Sequence, residues 1–137
     1  KLTMKTKMAL ITLKRADEVK TVLGRPDKIV DYQQHDTIRV LEGSKTYQFI
    51  IDRKNLENLK QQFPKRNILH ENNNVGMIEI TYPEDLVKTP GVFSLISQEL
   101  AQHDISISAA LIGTQEHIIV VNDDQVLKAA ELIHHLS

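Results

Sequence analysis

Two stretches of this chain, FIIDRKNLENLKQQF from Phe49 and IVVNDDQVLKAAELI from Ile119, match in residue type at an offset of seventy. Each runs from an apolar strand through a capping residue, Asp52 or Asn122, into a helix with one apolar stripe. The stripes are Leu56, Leu59 and Phe63 in one copy and Val126, Ala129 and Ile133 in the other. The repeat constrains the fold more than any other feature, because a strand and a one-striped helix cannot bury their apolar sides alone. They need a sheet that carries helices on one face. With 137 residues, the chain suffices for one ordinary domain or two small ones sharing a core.

The rest of the pattern fills in around the repeat. Residues 3–23 are mostly strong helix formers and predict a helix that Gly24 and Pro26 end. Strands are expected at 28–33, 37–42 and 45–51, the last two joined by a hairpin at Gly43-Ser44. A helix over 53–62 stops at Pro64, a short strand follows at 67–70, and the polar run Glu71-Asn72-Asn73-Asn74 reads as a linker. Beyond it come a strand at 76–81 and a helix to about Gln102, with Thr89 as its capping hydroxyl and Pro90 at its first position. Ile105, Ile107, Ala109 and Leu111 alternate with Ser106, Ser108, Ala110 and Ile112, the period of a strand. A second strand at 116–121 and a last helix opened by Asn122 or Asp123 complete the half. The expectation is an α+β, ferredoxin-like architecture with two modules, residues 1–72 and 73–137.

Composition bounds the function. Apolar content of 41% with 26% charged residues is that of a soluble globular protein. A formal charge of −1 gives no electrostatic footprint for a polyanion, and the absence of cysteine excludes disulfides and thiolate metal ligands. No apolar run reaches the roughly 20 residues that cross a bilayer, and no signal-peptide pattern opens the chain, so a cytoplasmic location is expected. The chain starts at Lys1 rather than methionine, which leaves room for an upstream domain.

Six features in order carry a family resemblance: the strand at 76–81, the loop LVKTPGVFS, the helix to LAQHD, the strand ISISA, the hairpin to EHIIVV, and DDQVLKAAELIHHL. Over about residues 75–136 the chain resembles an ACT domain, most like the second such domain of aspartokinases, and residues 1–72 resemble a degenerate partner module. The resemblance implies a βαββαβ-type antiparallel sheet with helices on one face, no catalysis and no cofactor. It also implies a dimer that binds a free amino acid as effector of a metabolic enzyme. Carried over, the ligand site consists of Leu86, Thr89, Gly91 and Val92 on the loop side and Ser106, Ile107 and Ser108 on the strand side of the dimer partner. Helix-start amides there suit an α-carboxylate, while hydroxyls and carbonyls near Ser106 suit an α-ammonium. Ser108 stands where lysine-sensing relatives carry an acid, which argues against lysine. ACT units close with a strand after their second helix, and residues 67–70 are the expected substitute here. The competing readings are a dimerisation module without ligand and a regulatory fragment of an aspartokinase-like enzyme.

Other chemistries fit less well. The six histidines read as solvated surface imidazoles: His134 and His135 are adjacent on a helix and point about 100° apart, which suits no shared ion. His103-Asp104 reads as a helix end rather than an acid/base pair. An acylphosphatase-type enzyme would need a phosphate-cradling loop with an arginine, and YPEDLVKTPG is acidic and has none. Lys5, Lys7, Lys14, Arg15 and Lys20 come without the base-reading pattern of a DNA-binding module.

Overall fold

Residues 7–74 form one compact unit and residues 1–6 with 75–137 form another. The computed structural model describes residues 1–84 and 90–136. In both units antiparallel sheet and short helices make a mixed α+β fold.

The first unit begins within β1 (Leu2–Lys14), which is followed by α1 (Asp17–Leu23), β2 (Ile38–Glu42), β3 (Thr46–Asp52), α2 (Leu56–Lys60) and the start of β4 (Ile68–Thr81). Its strand order is β2-β3-β1-β4, with β3 antiparallel to both neighbours. Residues 3–23 are therefore not one helix. Ala9, Ile11 and Leu13 join Tyr47, Phe49 and Ile51 in the core under Val19, Leu56, Leu59 and Phe63, while Met8 and Leu10, on the other face, are buried as well. A strand covered on both faces reads as an unbroken apolar run, and here helix-forming residue types fill that run.

The strand expected at 28–33 is replaced by two tight turns, Pro26–Lys28 and Tyr32–Gln34. Pro26 fixes the first, and the Asp31 carboxylate accepts from the Gln33 amide at 3.0 Å to fix the second. Ile29 and Val30, which suggested the strand, plug the core from these turns. The β2–β3 hairpin forms as expected, closed by the Gly43 amide on the Thr46 carbonyl at 2.8 Å. Asp52 does not cap the following helix. Its Oδ2 instead accepts from the Thr37 amide at 2.7 Å, and a tight turn, Arg53–Asn55, precedes a five-residue α2.

Residues 71–74 are not a linker either, since β4 runs without a break from Ile68 to Thr81. Backbone pairing is indifferent to side-chain polarity, so an Asn-rich stretch can hold a strand when its side chains face water.

The second unit takes β4 from Val75, then α3 (Val92–Gln102), β5 (Ala109–Ile112), β6 (Glu116–Asn122) and α4 (Val126–His134), in the strand order β1-β4-β6-β5. The place beside β4 is filled by residues 1–6, not by 67–70: Lys1 and Thr81 exchange both hydrogen bonds at 2.8 Å. Ile78, Ile80, Ile119 and Val121 from the sheet meet Ile96, Leu100, Val126, Ala129 and Ile133 from the two helices, with Leu2 packed against them. The repeat is exact in register. Val40 faces Phe49 in the first unit and Ala110 faces Ile119 in the second, so both strands of each hairpin correspond at the same offset.

Gly76 lets the last helix approach the sheet. A Cβ there would penetrate a Val126 methyl and lie 3.0 Å from the Lys5 carbonyl. Gly76→Ala is expected to cost about 1–3 kcal/mol in urea unfolding through overpacking, and Val126→Ala in the same chain should recover part of the loss. Independent, additive losses would show that the two sites do not compete for this space.

Candidate functional site

The expected loop-side residues surround the start of α3. Leu86 and Thr89, with the Thr89 cap, lie outside the described residues. Gly91, not Pro90, borders the helix: it is the N-terminal capping residue, with φ +82°, and its carbonyl takes the first helical bond from Leu95 at 2.9 Å. Among the described residues no side chain caps this end, and nothing lies within 4 Å of where a Gly91 Cβ would stand. Glycine is suited to that left-handed backbone, and the first-turn amides of a helix have no partners within it. Val92, half-buried, packs against the core next to Phe93.

The strand-side residues sit at the other end of α3. The strand expected from 105 begins only at Ala109, although the Ser108 amide still bonds the Val120 carbonyl at 2.8 Å. The cause is how α3 stops. Asp104 adopts a left-handed φ of +59°, its amide bonds Ala101, and the Ile105 amide reaches back to the Leu100 carbonyl. This is a Schellman motif, with Ile105 and Leu100 making the apolar contact that accompanies it. Ser106 and Ser108 are left exposed and Ile107 half-buried.

Two hollows flank α3. One, of about 500 Å³, is lined by Ser97, Ala101, Asp104, Ile105, Ser106 and Ile107. The other, of about 730 Å³ and mainly apolar, includes Leu2, Tyr82, Val92, Ile96, Ile133 and Leu136 in its wall. Val92 thus faces one hollow and Ser106 and Ile107 the other, and Gly91 and Ser108 line neither.

One histidine is not a surface imidazole. His117, 8% exposed, faces the core from β6 with the parity of Ile119 and Val121, the signal by which it could have been found in the sequence. Its Nδ1 lies 3.0 Å from the Tyr82 hydroxyl, and its ring meets Tyr82 and Phe93 edge to face at centroid distances of 4.8 and 5.6 Å. Burial pushes the imidazole pKa down and the phenol pKa up, so both groups stay neutral. His103 instead sits on its own helix end, Nδ1 3.0 Å from the Glu99 carbonyl.

No protein-family model matches the chain, and no curated protein sequence does. Solved structures do. The chain superposes on aspartokinase alpha and beta subunits with a TM-score of 0.74 at 13% identity, over 98% of this chain and 95% of that one. The ligand-free regulatory subunit of aspartate kinase from Thermus thermophilus gives 0.73 at 11% identity, over 98% and 94%. Clostridium acetobutylicum aspartate kinase, described as an allosteric enzyme, gives 0.74 at 15% identity, and there the chain spans 34% of the kinase. At these identities the likeness is one of fold, and it extends the resemblance read from about sixty residues to almost the whole chain. The chain has the mixed α+β fold of aspartokinase regulatory domains.

Two consequences can be measured. Asp104→Gly removes a side chain from a left-handed position and an acid from a helix C-terminus, so it should stabilise the chain by about 0.5–1 kcal/mol in urea unfolding. A loss of stability would mean that the carboxylate has a partner worth more than the strain. For His117 the sign follows from its depressed pKa. Below the ordinary value of 6.5 the unfolded chain takes up a proton that the folded chain resists, so stability falls as pH falls, whereas well above 6.5 both states are neutral. His117→Phe should melt lower than the parent at about pH 7.5, because Tyr82 loses its partner, yet lose less on going to about pH 5.5. An unchanged acid slope would assign the effect to another group.

Proposed function

We propose that this chain is a non-catalytic, cytoplasmic regulatory protein of amino-acid metabolism, built from two ACT-like modules of ferredoxin-like fold, that binds a free amino acid where two copies meet. The glycine-opened start of α3, which no side chain among the described residues caps, in a fold shared with aspartokinase regulatory subunits, carries this reading. The amides of Val92 and its successors would receive the α-carboxylate, with Leu86 and Thr89 on the preceding loop. Ser106 and Ser108 of a second copy would receive the α-ammonium, while Val92 and Ile107 supply apolar walls. Val92 and Ser106 face different hollows of one chain, which supports a site that takes its two sides from two copies. No cofactor is required. A dimerisation module without ligand is the second reading, favoured by exposed Ile112 on the edge strand β5, a surface that pairing could cover.

Thermal-shift measurements against the twenty amino acids test the ligand, since one present at a hundredfold its Kd adds about 2.7 kcal/mol. Gly91→Asp and Gly91→Asn pay the same backbone cost, about 1 kcal/mol at a positive φ, and differ only in charge. Both should fold and sediment as the parent dimer, but only Gly91→Asp should lose the shift, through repulsion of the ligand carboxylate. Equal responses would move the ligand elsewhere. Silence of the parent to all twenty leaves the dimerisation module.

A further inference from the structure

The two halves of the repeat treat one position in opposite ways. In the first unit the Asp36 carboxylate, in a residue only 8% exposed, stands just before β2. Its Oδ1 holds the Lys54 ammonium at 2.7 Å, and its Oδ2 accepts from the Asp31 amide at 2.8 Å and from Asn55 Nδ2 at 2.9 Å. Lys54 first, then these two donors, keeps Asp36 ionised far below the usual carboxylate range. About half of the Lys54 side chain is exposed, whereas the Asp36 side chain that it meets is almost wholly buried.

At the same offset of seventy, the second unit has Ser106 for Asp36, Asp124 for Lys54 and Gln125 for Asn55. The basic turn Arg53–Asn55 becomes the acidic turn Asp123–Gln125. Among the described residues no lysine lines the counterpart: Ser106 borders the smaller hollow, and the buried Gln125 Oε1 has no hydrogen-bond partner among these residues, while its Nε2 reaches the Asp104 carbonyl at 3.4 Å. The first unit is thus a worked case of a primary ammonium seated at this point of the fold, with the chain's own lysine as occupant.

We propose that the first unit is self-liganded: Lys54 fills from within the position that the amino group of a free effector takes in the second unit, so the chain carries one effector site and a second, latent ammonium site. The count of one rests on the amino-acid reading above, whereas the latent site does not.

Lys54→Ala removes a propylammonium-sized piece of the side chain and leaves Asp36 without its cation. The variant should melt below the parent, and propylammonium chloride, compared with sodium chloride at equal ionic strength, should restore most of the loss. The parent and an Asp36→Asn/Lys54→Ala chain should show no such gain. A Lys54→Ala chain that folds only with propylammonium present supports the latent site equally. Absence of selective rescue, or equal rescue of the double variant, overturns it whatever the amino-acid screen shows. Calorimetry of the parent with the amino acid that shifts it most should give one ligand per chain, and two would overturn the self-liganded count. A parent silent to all twenty removes the amino-acid reading and with it the count, and leaves the rescue to decide the latent site.

Discussion

Backbone pairing between Lys1 and Thr81 holds the second unit together and reaches as far as its candidate site. Without residues 1–6 the outer edge of β4 in that unit would expose a row of unpaired amides and carbonyls, and Leu2 would be missing from the core. The effect passes along the chain in contacts of known length. Tyr82, the residue after Thr81, bonds the Gln115 carbonyl at 2.8 Å through its amide and His117 through its hydroxyl. His117 in turn meets Phe93 in the first turn of α3, two residues beyond Gly91. The start of α3 is therefore linked, through Phe93, His117 and Tyr82, to the strand edge that residues 1–6 pair.

The helices of the second half were the more legible because their burial is one-sided. The spacing of Val126, Ala129 and Ile133 reports a single covered face and the structure keeps that helix, whereas β6 is buried on both faces from His117 to Val121 and is legible only as an apolar run. In β1 both faces are covered, so alternation vanishes, and Met8-Ala9-Leu10 carries a helical propensity that tertiary burial overrides. Residues 71–74 misled in the opposite sense, since polarity was read as absence of structure although the strand needs only their backbone. Residues 1–6 carry no local mark of a role in the second unit, because a partner so distant in sequence leaves no periodicity.

Legibility of the site divides along similar lines. Gly91 came with the family resemblance as a residue over which a ligand can approach the backbone, and its φ of +82° adds a left-handed backbone that only the structure shows. The Schellman ending of α3 was hidden, because Asp104 occupies a position at which glycine would have announced the turn, and the strand was consequently begun four residues too early. His117 was hidden by composition: among six histidines its identity says little, whereas its parity with Ile119 and Val121 puts it on the core face of β6.

Net charge conceals what separates the two units. The overall −1 is a sum in which a basic turn, Arg53 and Lys54, is set against an acidic one, Asp123 and Asp124, at matching places in the repeat. Each turn neighbours the start of an edge strand, and there the complementary residue differs as well, a buried acid in one unit and an exposed hydroxyl in the other. A buried carboxylate deprived of its cation is costly, so Asp36 and Lys54 have reason to be kept or replaced together. A hydroxyl imposes no such demand. The repeat thus has one place where the chain itself supplies the cation for a buried acid, and a corresponding place where an exposed hydroxyl stands for the acid and an acidic turn for the basic one.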